Sequence, residues 1–505
     1  MAIAIAPILS YPARTFEPMF ASTTAAALVG VDPRPVRVEA HLGNAAHARF
    51  SLVGLPDTAV REAKERVRAA LVASSFRFPT GLVIVNLAPA SLPKAGSSFD
   101  LPIALGILAA AREIPSAASS VVATGELALD GTVRPAHGAL AAAMVAADMG
   151  VPCIVPKGSA AEARTVRRAD VRAVGSLAEA IDAALGEPCE EAAEEPWITP
   201  AIPDLADVRG QHRARRALEL AAAGGHHLLM IGPPGCGKTM LARRLPGLLP
   251  PLDDPERLEV ACVYAAGDRE SPPIGVPPFR APHHSATMAA ILGGGSGVPV
   301  PGELALSHRG ILFLDELGEF PAGILDALRQ PLEEGSVTIA RKGFSVTYPA
   351  AAQVVAATNP CPCGFAGDRL RACSCSEPAI DKYRRRLSGP LVDRFDLSVV
   401  VPRPERLDGP PGESTAEVRA RVIEARTVQA VRGCLNRDLA GRRLDELPAT
   451  AAAGRALAKA VDGGLVTGRG YDRVRRVART LADLGRVEPI EEAHVMEALT
   501  FRGAW

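Results

Sequence analysis

The sequence predicts a multidomain α/β protein, and three stretches carry that prediction. The first is Gly232-Pro233-Pro234-Gly235-Cys236-Gly237-Lys238-Thr239, which follows an apolar run (228–231) and precedes a helical pattern (240–245). The second is Gly310-Ile311-Leu312-Phe313-Leu314-Asp315-Glu316, a buried-strand pattern ending on an acidic pair. The third is the helical periodicity that runs from residue 415 to the end of the chain.

With 505 residues, the chain is long enough for two to four domains. Its 56 basic residues balance its 56 acidic ones, so no global field draws it onto nucleic acid or membrane, and any such contact must come from a local patch. Only 7 of the basic residues are Lys, one of them Lys238, a skew that goes with the abundant Ala and reads as source composition. Apolar runs such as 101–111 stop short of the roughly 20 residues a membrane span needs. The first residues lack a basic leader region and a cleavage site. Nine cysteines, one inside the glycine-rich loop, do not form a disulfide framework pattern. These features predict a soluble, cytoplasmic protein.

Residues 1–18 show no periodicity and are expected to be a disordered or wrongly assigned extension. From Val36 the apolar residues alternate, which predicts paired strands. A helix is predicted over 58–74, with Val60, Ala63, Val67 and Leu71 on one face, then a strand over 82–87. After a loop (93–100), the helix predicted over 101–112 is apolar nearly all round and therefore buried. Region 19–185, including Thr124-Gly125-Glu126-Leu127-Ala128-Leu129-Asp130-Gly131-Thr132-Val133-Arg134-Pro135, resembles the ribosomal-S5-like α+β fold shared with the proteolytic domain of Lon-type proteases. That resemblance maps the protease serine onto Ser98 and its lysine base near Ala143, in a stretch (138–144) that holds no Lys. A serine without a base stays protonated and is a poor nucleophile, so Ser97 and Ser98 read as loop or cap residues and no protease activity is expected. The acidic, proline-rich stretch 186–203 reads as a linker.

Between 204 and 402 the pattern is that of a nucleotide site. A segment before the helix predicted over 212–223 offers Val208 and Gln211 as base contacts. Strand, glycine-rich loop and helix start form the context that makes the loop a phosphate cradle: Gly232, Pro233, Pro234, Gly235, Cys236 and Gly237 turn amides inward, and the helix adds its positive end. Lys238 is placed to reach the outer phosphates and Thr239 to ligate Mg²⁺. Asp315 is expected to hold the Mg²⁺ through water and Glu316 to polarise the attacking water. A third strand (354–359) ends on Asn359, which can orient that water. Arg394 is a candidate arginine finger acting on a neighbouring subunit's γ-phosphate, against a local pairing with Asp393 or Asp396.

This order of motifs resembles an AAA+ ATPase. The runs Phe279-Arg280-Ala281-Pro282-His283-His284-Ser285-Ala286-Thr287 and Pro301-Gly302-Glu303-Leu304-Ala305-Leu306-Ser307-His308-Arg309-Gly310 are similar to the magnesium-chelatase-like family called YifB or ComM, over nearly the whole chain from Met19. The resemblance implies an AAA+ P-loop NTPase core using ATP and Mg²⁺, homo-hexameric rings, and a DNA helicase that drives branch migration on single-stranded or branched DNA. A chelatase- or chaperone-type motor remodelling a protein partner is the other reading.

Residues 336–341 and 344–348 alternate about Lys342-Gly343 and predict a hairpin before the third strand. In related ring motors, including the replicative MCM helicases, such a presensor-1 hairpin faces the pore, where Arg341 and Lys342 would meet a phosphate backbone; an ordinary solvated turn is the competing reading. The segment 293–297 is expected to open a second pore-side insert. Cys361, Cys363, Cys373 and Cys375 can make a tetrahedral Zn²⁺ site, although one-residue spacing inside each pair departs from the usual two to four; four free thiols and a redox-sensitive pair stay open. His283 and His284 read as structural or inter-subunit residues. After a second linker (403–414), a C-terminal helical lid is predicted over 415–505, with helices at 415–432, 450–461, 473–484 and 490–499. Arg469 resembles the superfamily's second nucleotide sensor, with Arg473 as fallback; Arg475, Arg476 and Arg479 read as a solvated or interface stripe.

Overall fold

The computed structural model describes residues 19–44, 49–55, 57–92, 94, 96–189, 202–273, 275–295, 298–341, 344–387, 394–403 and 409–502. The extension read at 1–18 and most of the linker at 186–203 lie outside them. The chain divides into two compact units, Met1–Glu194 and Glu195–Trp505.

The first unit is built on a seven-stranded mixed sheet. Its strands are β1 (Met19–Val29), β2 (Asp32–Gly43), β3 (Arg49–Val53), β4 (Leu82–Ala88), β5 (Val122–Ala123), β6 (Cys153–Pro156) and β7 (Val171–Val174), in the order β3-β4-β2-β1-β5-β6-β7. β1 and β2 form a long antiparallel hairpin, while β5, β6 and β7 are parallel. The helix Thr58–Ala73 starts where Asp57 accepts a bond from the Val60 amide, and it buries Val60, Ala63, Val67, Ala70 and Leu71. The helix Asp100–Ala110 is buried at every position, as the nearly all-round apolar pattern from 101 predicts. Its first residue is a fully buried carboxylate, met by Arg66 through Nε (2.6 Å) and Nη2 (3.0 Å) and by the Leu127 amide (3.2 Å). Ser97 donates to Glu126, and the Ser98 carbonyl accepts from the Gly125 amide.

The second unit holds a five-stranded, all-parallel sheet. Its strands are β8 (Leu228–Ile231), β9 (Phe279–Arg280), β10 (Ile311–Leu314), β13 (Gln353–Thr358) and β14 (Leu397–Val400), in the order β9-β10-β13-β8-β14. Between β10 and β13 stands the antiparallel hairpin of β11 (Ser336–Arg341) and β12 (Phe344–Pro349). Every residue of β8, β10 and β13 is buried, because helices cover both faces of a parallel sheet. The helix His212–Gly224 joins this core, and its last carbonyls, which have no partner within the helix, are capped from downstream: Arg426 donates to Ala222 and Gln429 to Ala223.

The C-terminal helices are Thr415–Arg432, Ala451–Asp462, Gly468–Leu484 and Glu492–Thr500. The first two match expectation, capped by Ser414 and Thr450. The third starts five residues earlier than its apolar periodicity indicated, because Thr467 caps it on the Gly470 amide. The fourth starts at Glu492 rather than Ile490, whose amide is bound instead to the Pro448 carbonyl. The arginine stripe is also corrected: Arg479 is buried against Asp483 of the same helix, Arg475 bonds Asp445, and Arg476 donates to the Leu439 carbonyl, so the last two guanidinium groups tie this helix to the segment before it. No helix among the described residues is long and apolar enough to cross a membrane.

Candidate active site

The glycine-rich loop leaves the carboxyl end of β8, and its first amide, that of Gly232, donates to the Thr358 carbonyl of β13 (3.2 Å). Only glycine fits at 232, since a Cβ there would sit 2.2 Å from the Val401 carbonyl oxygen. Gly235 and Gly237 turn the chain through positive φ (73° and 97°), which no side-chain-bearing residue adopts cheaply. The loop then enters the helix Lys238–Ala242. Lys238 Nζ donates to the carbonyls of Gly232 (2.6 Å) and Pro233 (3.0 Å) and to Asn359 Oδ1 (3.3 Å). Burial holds its ammonium below the usual lysine range, and it pushes the Cys236 thiol up.

β10 ends at the same edge of the sheet. Thr239 Oγ1 lies 2.7 Å from Asp315 Oδ2, and Asp315 Oδ1 accepts the amide of Glu316 (3.0 Å). Glu316 takes a positive φ of 51°, a conformation costing a non-glycine residue about 1–3 kcal/mol. In that conformation its carboxylate meets His284, with Nδ1 3.2 Å from Oε2. The His284 ring lies tilted against that of His283 (4.0 Å between centroids), whose Nδ1 is 2.7 Å from Ser285 Oγ. The contact with Glu316 gives His284 a place in the site that the sequence pattern did not indicate. Tyr383 was also missed; its hydroxyl sits 3.0 Å from Thr358 Oγ1, and a lone Tyr on a polar helix carries no signal of this. Val208 is fully buried in the core, and Gln211 donates to the Pro402 carbonyl.

Thus Lys238, Thr239, Asp315, Glu316 and Asn359 converge on one edge of the sheet. Arg394 does not join them. It precedes β14, which runs parallel to β8 with Leu397 beside Leu228 and Val400 beside Ile231. It therefore lies at the amino edge, a strand's length (about 13 Å) from the loop. There it forms an ion pair with Glu333, while Asp396 is 3.4 Å from His226 Nδ1 and Asp393 lies outside the described residues.

Arg341 is exposed at the hairpin tip, and Lys342 lies outside the described residues. The hairpin packs on the residues that flank the glycine-rich segment. The buried Tyr348 hydroxyl donates to the Pro299 carbonyl, and a Cβ on Gly293 would lie 2.5 Å from Ile339 Cδ1. The four cysteine sulfurs at 361, 363, 373 and 375 lie within 4.8 Å of one another. Arg469 follows the first residue of the helix Gly468–Leu484, and its side chain lies outside the described residues.

The chain matches the family described as magnesium chelatase, subunit ChlI, over residues 204–408, with matches to further ChlI regions over 38–159 and, for the ChlI C-terminal part, 412–502. It is 42% identical to the YifB protein of Salmonella typhimurium over 94% of this chain and 96% of the relative. It is 41% identical to the competence protein ComM of Haemophilus influenzae over the same shares. The magnesium-chelatase 38 kDa subunit of Cereibacter sphaeroides is more distant, 27% identical over 39% of this chain and 58% of its own length. The chain belongs to the YifB/ComM family of magnesium-chelatase-like AAA+ ATPases.

Proposed function

We propose that this chain is an ATP-hydrolysing motor that works in the cytoplasm as a homo-hexameric ring on single-stranded or branched DNA, in DNA uptake or recombination. The observation that carries the reading is the placing of Arg394, which stands at the opposite edge of the sheet from Lys238, away from its own chain's loop, and so supports a role at the triphosphate of another copy. In this reading the Lon-like front domain spans 19–185, the AAA+ core 204–402 and the helical lid 415–505.

The residues at the carboxyl edge fit a magnesium nucleotide: a hydroxyl and a carboxylate oxygen, 2.7 Å apart, are the hard donors Mg²⁺ takes. Bound Mg²⁺–ATP supplies the scissile phosphoryl bond and neutralises charge on its oxygens. Lys238, with three acceptors in reach, holds the outer phosphates. Glu316 orients the attacking water and accepts its proton, while His284 fixes the angle of that carboxylate. Asn359 bridges between that water and Lys238. Arg394, presented by the next subunit, stabilises negative charge that grows on the transferred phosphoryl group, and Arg469 senses the nucleotide from the lid.

The exposed Arg341, with Lys342 beside it in sequence, supports DNA as the cargo, and the relative named as a competence protein points the same way. The relatives named as magnesium-chelatase subunits support remodelling of a protein partner instead. ATPase rate with and without single-stranded or forked DNA decides between them. DNA is expected to stimulate turnover, and Arg341→Ala/Lys342→Ala to abolish the stimulation while leaving the basal rate. An unstimulated rate together with the absence of salt-sensitive DNA binding would overturn the DNA reading.

A further inference from the structure

The chain from 360 to 376 follows Asn359 with turns and bends but no helix or strand. An irregular stretch of that length inside a compact unit needs something to hold it. Part of the hold is visible: Arg371 and Arg403 lie over the ring of Phe365 (4.1 and 5.7 Å), and Arg403 bonds Asp368 (2.8 Å). At the centre are four sulfurs. Cys361 and Cys363 are 3.4 Å apart, Cys361 and Cys373 3.6 Å, and Cys363 and Cys373 3.5 Å. A disulfide would bring two of them to about 2.05 Å and release the others. Four thiolates on one tetrahedral ion, each bond about 2.3 Å, stand roughly 3.8 Å apart. Backbone amides also point at the sulfurs, from Ala366 to Cys361 (3.3 Å), from Cys363 to Cys375 (3.4 Å) and from Cys375 to Cys373 (3.4 Å). Such amides stabilise thiolates and orient them toward a shared cation.

The same segment leans on the phosphate loop. Gly364, between the two cysteine pairs, has a φ of 85°, and a Cβ on it would stand 2.6 Å from Pro234 Cδ and 3.7 Å from Asn359 Cγ. Cys361, fully buried, is two residues from Asn359. Whatever fixes the sulfurs therefore fixes the register between Asn359 and the cradle.

We propose that Cys361, Cys363, Cys373 and Cys375 hold one tetrahedral thiophilic divalent cation, zinc foremost, and that this clip keeps Pro234 and Asn359 in the geometry that binds nucleotide. The site takes a single ion, because sulfurs this close leave no room for a multi-metal cluster. The coupling, though not the metal site, rests on the reading of Gly232 to Thr239 as a triphosphate cradle.

The test uses the full chain. Elemental analysis should find one zinc per chain, and exchange into Co²⁺ should give sulfur-to-cobalt charge-transfer absorption with tetrahedral d–d bands. Cys373→Ser/Cys375→Ser should lose both, while Cys434→Ser, outside the cluster, keeps both. Binding of a fluorescent ATP analogue should weaken roughly tenfold or more in the double variant. Gly364→Ala should retain the metal and still weaken nucleotide binding, which separates displacement of the loop from collapse of the segment. Protein without bound metal, and without cobalt bands after loading, would overturn the site. Unchanged nucleotide affinity in the double variant or in Gly364→Ala would overturn the coupling. Failure of the metal-loaded wild type to bind nucleotide would count against the cradle, and the cobalt spectrum would still decide the metal.

Discussion

In the first unit, the buried carboxylate of Asp100, at the start of the helix Asp100–Ala110, meets Arg66 and the Leu127 amide within the same unit. In the parallel sheet of the second unit, Lys238, Asp315, Glu316 and Asn359 are gathered at the ends of three adjacent strands, and their acceptors and donors face one another across a glycine-rich loop. Both units bury or crowd charge, but only the second does so at the carboxyl edge of an all-parallel sheet, where strands end together and loops open outward. A charged residue paired on the spot serves folding; charged residues brought to one edge from separate strands are the ones on which the proposed chemistry rests.

The strongest way to break this contrast is Glu316→Gln. Turnover should fall about 100-fold or more, while ATP-analogue affinity stays within about twofold, because the amide keeps the shape but cannot accept a proton. Near-normal hydrolysis would remove Glu316 from the chemistry. In the first unit, Arg66→Ala strands a buried carboxylate and should cost about 3–5 kcal/mol. The loss should appear in the unfolding transition of that unit; a change below about 1 kcal/mol would show that the pair is a surface-like contact. His284→Ala tests whether the histidine belongs to the site: kcat should drop on the order of tenfold with the KM for ATP little changed, an effect of misplaced geometry rather than lost binding. An unchanged kcat would return His284 to a purely structural role.

The smallest effect is a pH dependence. His227 Nδ1 accepts the Val354 amide (2.9 Å), and desolvation drives its imidazole from 6.5 down to about 3. The unfolded chain then takes up a proton that the folded chain refuses, so the second unit should lose stability as pH falls from about 6.5 toward 3. Asp396 adds a separate loss at lower pH: beside His226 its carboxyl is held at about 2, so its contribution fades between 3.8 and 2. His227→Asn, which preserves an acceptor for Val354, should flatten the upper part of the curve in thermal unfolding.

The strands and helices around the site were legible because each depends on local pattern. Leu228–Ile231 and Ile311–Leu314 are short apolar runs next to chemistry-bearing residues, and the caps at Ser414 and Thr450 are visible in the sequence. What was not legible depends on distant partners. The start of the last helix moved because Ile490 is bound to Pro448, and the arginine stripe is corrected because Asp445 and the Leu439 carbonyl, from upstream of the helix, meet Arg475 and Arg476. The contact of His284 with Glu316 joins residues 32 apart in the sequence, through a positive φ that no residue pattern announces. The same holds for the hairpin and the glycine-rich insert, which share the hydroxyl of Tyr348.

The parallel sheet has unlike ends, with the glycine-rich loop at one edge and Arg394 at the other. A contact that brings one copy's amino edge to the next copy's cradle is heterologous, so it is never satisfied in a pair: each added copy presents a fresh unmatched surface. Such an array closes on itself or grows as a helix, and the angle between neighbours decides which. In the ring proposed above, all members would point the same way around the axis, which gives it polarity before any ligand arrives.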